Sequence, residues 1–248
     1  MTKAEIQLVR SLADKRARME QGLFVAEGEK LIAEIRSSKL RVQKIFALEG
    51  IFTGPEVEVV SSKEMERLSL LKSPSKAVAL VEIPHYKLRT SDLKEKLILA
   101  LDEVQNPGNL GTIIRLADWF GITDIVCSAD SADCFNPKVV QATMGAILRV
   151  RVHYVDLEAF LAEAVAHEIP CYGTFLEGEN LYTTPLTEGG IIIMGNEGRG
   201  ISERCARHVT HKILIPAYPP NRPTSESLNV AMATGIVCAE FRRRLLTK

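Results

Sequence analysis

The chain has 248 residues, 46% of them hydrophobic, with 31 basic side chains balanced by 31 acidic ones and a formal net charge of zero. That length accommodates one large or two modest domains of about 100–200 residues each. The charge balance lacks the basic excess usual in nucleic-acid-binding domains; no apolar run nears the ~18 residues needed to cross a bilayer, and the amphipathic opening MTKAEIQLVR has no signal-peptide core, so a cytoplasmic protein is expected.

Residues 3–21 place Ile6, Val9, Ala13 and Ala17 at helical spacing, and Gly22 stops them, which predicts one basic helix carrying Lys15, Arg16 and Arg18. Strand LFVAEG, helix EKLIAEIRSS, strands VQKIFAL and VEVVS, helix SKEMERLSLL and strand KAVALVEI follow, a small α/β unit. Pro84 to Asp92, PHYKLRTSD, is rich in turn formers and sets the domain boundary, giving domains 1–90 and 91–248. Charge divides unevenly about it: residues 1–95 hold 17 Lys and Arg against 14 Asp and Glu.

The second region opens with strand KLILAL, then DEVQNPGNLG and a helix from Thr112 to Phe120. Strands TDIVCS, LRVRVHYV, PCYGTFL, GIIIMG and KILIP alternate with helices PKVVQATM, LEAFLAEAVAHE and ISERCARHV and a closing helix from Val230 to Phe241. Strands that read as continuous apolar runs between helices predict a parallel sheet covered on both faces. The closing helix reads VAMATGIVCAEF, apolar on nearly every side, which suits either a sandwiched core helix or a subunit interface. Ser227 stands where an N-cap belongs, after a loop containing Pro216, Pro219, Pro220 and Pro223.

Five cysteines (Cys127, Cys134, Cys171, Cys205 and Cys238) form no CxxC pair and read as reduced core thiols. Cys205, His208 and His211 have a spacing that gathers ligands on a helix, but a fourth ligand is missing, so no metal is expected. Chemistry concentrates instead in three loops that follow strand ends: NPGNLGTIIR at 106–115, GNEGRGIS at 195–202 and the proline-rich loop into SLN at 227–229. The carboxyl edge of an open parallel sheet is where ligands bind. Neither the dinucleotide fingerprint nor the P-loop is present, and G-x-S-x-G is absent too.

Taken together, NPGNLGTIIRLA (106–117), IIIMGNEGRGIS (191–202) and ILIPAYPPNRPTSESLNVAMATG (213–235) resemble, in order and spacing, the three motifs of the TrmH/SpoU family of RNA ribose 2′-O-methyltransferases. The likeness covers roughly residues 97–246, and the leading unit with LFVAEGEKLI resembles the family's L30e-like substrate-binding domain. The resemblance implies a parallel-sheet SPOUT fold with a C-terminal trefoil knot and S-adenosylmethionine as methyl donor; the all-round apolar face of the closing helix adds the expectation of a homodimer built through it, and no metal or membrane association is expected. Carried over by motif, the donor contacts Thr174, Gly195, Ile215 and Leu228. Asn109, Arg115, Glu197, Ser227 and Asn229 form the reaction centre. The segment AYPPNRPTSE is longer than in many members of the family. A guanidinium with a pKa above ~12 is a poor base, so an electrostatic role suits Arg115. The N-terminal domain, with Lys15, Arg16 and Arg18 as RNA contacts, favours 23S rRNA over tRNA as substrate by analogy with the family. A tRNA methyltransferase and a non-catalytic RNA-binding member are the alternatives.

Overall fold

A capping box starts α1 (Lys3–Ser11): the Thr2 hydroxyl accepts from the Glu5 N–H at 3.2 Å while the Glu5 carboxylate accepts from the Thr2 N–H at 2.7 Å. The single helix expected over 3–21 is two helices. Leu12 caps the end of α1, and the Asp14 carboxylate accepts from the N–H groups of Arg16 and Ala17 to start α2 (Lys15–Gln21). Gly22 closes α2 at φ +65°, the left-handed conformation that a residue without Cβ adopts cheaply. The computed structural model describes residues 1–219 and 225–246, so Pro220 and Pro223 of the expected rigid loop lie outside the described residues.

The chain forms two compact units, residues 1–85 with 133–148 and residues 86–132 with 149–248. In the first, β1 (Leu23–Glu27), α3 (Glu29–Arg36), β2 (Val42–Ala47), β3 (Val57–Val59), α4 (Ser62–Leu68) and β4 (Ala77–Glu82) build a four-stranded sheet ordered β1-β4-β2-β3. Period-two alternation sends Leu23 and Val25 to a core with Val9, Leu12 and Leu68, and Phe24 and Ala26 to a core on the other face with Ile32 and Ile35. The turn-rich stretch 84–92 predicts domains 1–90 and 91–248, but the second core also takes Val140 from α6 (Pro137–Ala142), and the Phe135 ring packs tilted against Phe24 with centroids 4.8 Å apart.

The same segment redirects Arg18. Expected as an RNA contact, it is 1% exposed, and its guanidinium donates to the Asp133 carboxylate and to the carbonyls of Leu12 and Ala13 at 2.7 and 3.0 Å. It is a buried structural cation and presents no surface to a partner. Lys15 and Arg16 are exposed, with Arg16 bonded to Glu20 one turn on at 2.7 Å.

The second unit contains β5 (Leu97–Leu101), α5 (Pro107–Trp119), β6 (Asp124–Ser128), β7 (Arg151–Val155), α7 (Leu157–Ala166), β8 (Cys171–Asn180), β9 (Gly190–Met194), α8 (Glu203–Ala206), β10 (His211–Leu214) and α9 (Val230–Leu246). Its six strands run parallel in the order β10-β8-β9-β5-β6-β7, as the continuous apolar strands predict. At the amino ends of β6 and β7, buried Asp124 is bonded by His153 at 3.0 Å and Arg151 at 2.6 Å. Burial works to raise its pKa, yet the bonds from His153 and Arg151 outweigh burial and hold the carboxyl well below its usual range. The pairing of β10 with β8 jumps between Lys212, opposite Gly173, and Ile213, opposite Glu179, so the intervening residues of β8 loop out of the ladder.

All five cysteines are buried and none is in a disulfide, and burial pushes Cys171 and Cys205 up to about 11 and Cys238 up to about 12, which makes these three inert thiols. Cys205 packs in the core, while His211 stacks on Tyr172 with ring centroids 4.8 Å apart. Among the described residues no helix is long and apolar enough to cross a membrane.

Helix α9 is not buried all round. Val230, Ala231, Thr234, Val237, Cys238 and Phe241 recur at helical spacing on a face turned into its own unit. It packs on α5, where the Leu116 side chain lies 3.5 Å from the point a Cβ would occupy at Gly235. Met232 on the opposite side is 63% exposed, and Trp119 at the end of α5 is 83% exposed.

Candidate active site

Strand β5 has β6 on one side and β9 on the other, and the connection leaving β5 runs towards β6 while that leaving β9 runs the opposite way, past β8 to β10. A crevice therefore opens between the carboxyl ends of β5 and β9, the switch point at which parallel sheets bind ligands. Two of the three motif loops leave from these strands. The first turns into α5, which starts at Pro107 rather than at Thr112 as expected. Asn106 is its cap, accepting from the N–H groups of Gly108 and Asn109 at 2.8 and 3.2 Å, and proline at the first helical position loses no hydrogen bond. With the capping done by Asn106, the Asn109 side chain is released to point into the crevice.

The second loop leaves β9 through Gly195. A Cβ there would stand 2.2 Å from the Gly200 carbonyl carbon and 2.3 Å from the Ile201 nitrogen, so no other residue fits. The loop closes on itself, Asn196 and Gly200 exchanging backbone bonds at 2.9 and 2.8 Å, and the Asn196 side chain accepts from Gly198 and Arg199 N–H at 2.9 and 3.2 Å. Glu197 projects from the tip of this hairpin-like turn.

The third loop ends in a cap, but the cap is Asn229 and not Ser227. The Asn229 Oδ1 accepts from the N–H groups of Ala231 and Met232 at 3.0 and 3.3 Å, the second and third residues of α9. Its Nδ2 is thereby aimed outward and donates to Asn109 Oδ1 at 3.1 Å and Glu197 Oε1 at 3.2 Å. Asn109 Nδ2 donates to the same Glu197 oxygen. Residues 88 and 120 positions apart along the chain thus converge on one carboxylate, each placed there by a local turn or cap.

The other expected residues are dispersed around this cluster. Arg115 is exposed on α5, two turns beyond Asn109, and its guanidinium makes no hydrogen bond or ion pair among the described residues. Ser227 is exposed, and its hydroxyl likewise has no partner among the described residues. Thr174 lies within β8, just past Gly173, the last residue that pairs with β9, and its hydroxyl is bonded to the Ile193 carbonyl at 3.1 Å, while Gly195 and Ile215 follow the carboxyl ends of β9 and β10. Leu228 is 49% exposed next to the α9 cap. Two organising residues escape a reading of the sequence, Asn106 and Asn196; one opens a helix and the other a tight turn in the loops that follow β5 and β9, positions where an asparagine side chain commonly caps the following N–H groups.

The family model described as SpoU rRNA Methylase matches residues 96–239, and that described as the MRM3-like substrate binding domain matches residues 3–79. The 23S rRNA (guanosine(2553)-2′-O)-methyltransferase RlmP of Bacillus subtilis is 30% identical over 240 residues, which cover 94% of each chain. Among solved structures, a TrmH-family protein from Porphyromonas gingivalis superposes with a TM-score of 0.90 at 38% identity, covering 98% of this chain and 99% of that one. An AdoMet-bound rRNA methyltransferase from Sinorhizobium meliloti superposes with a TM-score of 0.87 at 28% identity, covering 99% and 96%.

Proposed function

The chain belongs to the SpoU rRNA methylase family, and from that premise we propose that it transfers the methyl group of S-adenosylmethionine to a ribose 2′-hydroxyl of RNA, with 23S rRNA as substrate. The observation that carries the reading is the convergence of Asn109, Glu197 and Asn229, one from each motif loop, at the switch point of the sheet. Relatives named as 23S rRNA methyltransferases and the substrate-binding match over residues 3–79 support rRNA rather than tRNA.

The residues around the three neighbouring strand ends fit the donor. Gly195 and Ile215 stand past the ladders of β9 and β10, where peptide N–H and C=O groups are free of sheet pairing, and Ile215 and the half-exposed Leu228 add apolar surface. Main-chain polar groups beside apolar side chains suit a purine ring. Thr174, Gly195, Ile215 and Leu228 would hold it. Bound there, S-adenosylmethionine supplies an electrophilic methyl group on a sulfonium centre.

The chain's own residues orient and stabilise. Glu197 offers a carboxylate whose position is set by two amide donors, an acceptor suited to a ribose hydroxyl. The exposed guanidinium of Arg115 has no protein partner among the described residues, which fits it to an RNA phosphate or to the negative charge that grows on the attacking oxygen. Ser227 adds, next to the start of α9, a hydroxyl with no partner among the described residues.

The proposal extends to assembly. Exposed Met232 on α9 and Trp119 on the adjoining α5 give an apolar surface that a second copy would cover, so the enzyme works as a homodimer through α9. A trefoil knot in the C-terminal segment, an L30e-like first unit with Lys15 and Arg16 at its RNA surface, and a cytoplasmic location complete the reading.

The test is direct: purified protein, S-adenosylmethionine labelled on the methyl, and ribosomal RNA from a strain lacking the gene. The expected product is a single 2′-O-methylated nucleotide, resistant to alkali at its 3′ phosphodiester. A base-methylated product, or none, would overturn the reading.

A further inference from the structure

Two acidic residues directly after β5 take no part in the cluster of asparagines and Glu197, yet both reach the loop that presents Glu197. Asp102 is buried, and its Oδ2 accepts from the Ser202 N–H at 2.7 Å, at the far end of that loop. Its Oδ1 and the Ser202 hydroxyl are buried without hydrogen-bond partners among the described residues, so Asp102 is not placed to satisfy itself. At the near end of the loop, Asn196 Nδ2 donates to the Glu103 carbonyl at 2.9 Å, and this is the asparagine whose Oδ1 holds Gly198 and Arg199. The Glu103 carboxylate pairs with the Arg199 guanidinium, in the middle of the loop, and lies 4.0 Å from Arg204 beyond it.

The backbone of Glu103 is strained to do this. It adopts φ +57°, a left-handed conformation unfavourable for a glutamate. A relay of hydroxyls holds it there: the Glu103 N–H donates to Ser128 Oγ at 2.9 Å, Ser128 and Ser131 share a bond at 3.1 Å, and Ser131 Oγ donates to the Leu101 carbonyl at 3.3 Å. A glycine would occupy that conformation without strain, so the side chain at 103 has a use that offsets it.

We propose that Asp102 and Glu103 are positioning residues, a paired clasp that fixes the 196–202 loop at both ends and its middle so that Glu197 is held against Asn109 and Asn229 before RNA arrives. The inference rests on the methyltransferase reading, which it deepens. Neither residue touches the reacting atoms; each acts through the loop. Preorganisation of this kind lowers the barrier because the loop need not be ordered during the reaction.

The experiment compares Glu103→Gly with Glu103→Gln in the full-length protein. Glycine relieves the strained φ and removes the carboxylate; glutamine keeps the strain and the length but removes the charge. Both retain the carbonyl that Asn196 uses. The expected result is a melting temperature that rises or holds for Glu103→Gly and falls or holds for Glu103→Gln. In both variants kcat drops at least tenfold with the KM for RNA within about twofold, and amide hydrogen exchange of Gly198 and Arg199 quickens. A residue that merely supports the fold would give activity that follows melting temperature. That pattern, unchanged exchange, or faster exchange with unchanged kcat would each overturn the clasp. Exchange is read without any substrate. If the wild-type protein methylates no RNA, the methyltransferase reading fails on its own and exchange alone decides the clasp.

Discussion

Asn229 carries two functions on one amide, the oxygen capping α9 and the nitrogen reaching Asn109 and Glu197. The two separate by substitution. Asn229→Asp keeps the capping oxygen, and a negative charge is welcome at a helix N-terminus, but it turns a donor into a second carboxylate facing Glu197. The expected outcome is an unchanged melting temperature with a single-turnover rate down at least ~100-fold, about 2.7 kcal/mol of barrier. Asn229→Ala should lose the cap as well and cost about 1 kcal/mol of stability. Arg115 tests a different point, because it stands exposed and without a protein partner among the described residues. Arg115→Ala should abolish transfer while donor binding by calorimetry is kept. Arg115→Lys keeps the charge and loses the planar fork, so a fall of orders of magnitude would assign the role to bidentate geometry. A near-wild-type single-turnover rate in either variant would remove Arg115 from the mechanism.

At the scale of elements, α9 shows how far a sequence pattern reaches. Its near-continuous apolar run leaves core and interface equally open, because a side chain's neighbours are not written in its own segment. In the structure one face is closed by the helix's own unit while Met232 stays out in solvent. Met232→Glu should therefore leave the circular dichroism of the protein intact and convert dimer to monomer in light scattering; a dimer that survives would place the interface elsewhere. The basic end of the helix is equally illegible in advance. Nothing in three consecutive arginines says what they touch, yet Arg242 donates to the Phe120 carbonyl at 2.7 Å, Arg244 to the Leu181 carbonyl at 2.8 Å, and Arg243 and Arg244 both to Glu240 at 2.8 Å. The bond from Arg243, seconded by Arg244, lowers Glu240 to about 2 against an ordinary 4.5. A depressed carboxyl contributes stability that is complete above its unfolded value and is lost as pH falls through the folded one. The protection factors of amides in the last turns of α9, with the intrinsic pH dependence of exchange divided out, should thus be flat above about pH 5 and fall between about 4.5 and 2; Glu240→Gln should abolish that fall. Helix starts were misplaced for a related reason. A helix beginning at Thr112 and a cap at Ser227 are the local readings, but Asn106 and Asn229 do the capping, and the choice between nearby capping residues depends on where the preceding strand lets the chain turn.

For the whole molecule, the parallel sheet was legible because strands buried on both faces must be apolar throughout, and the three motif loops were legible as strand-end loops. Strand order was not, since adjacency is a long-range property, nor was the return of residues 133–148 to the first unit, which no local signal announces. That return decides how the basic helix α2 should be read. Lys15, Arg16 and Arg18 look alike in sequence, but Asp133 buries Arg18 while the other two stay exposed. Arg18→Ala removes one partner of a buried pair and should cost about 3–5 kcal/mol in urea unfolding, with no effect on RNA affinity per folded molecule. The surface pair carries the RNA prediction. In a chain of zero net charge, attraction to RNA must come from local groups, and each phosphate contact contributes about 0.7 to the slope of log affinity against log salt on a single strand. Reversing Lys15 and Arg16 to Glu should flatten that slope by up to roughly 1.4 and weaken binding most at low salt, where counterion release is worth most. Donor affinity, set in the other unit, should not move. A slope identical to wild type across 50–200 mM salt would mean that the outer side of α2 is an ordinary solvated helix face, and that the RNA is gripped by a different part of the first unit.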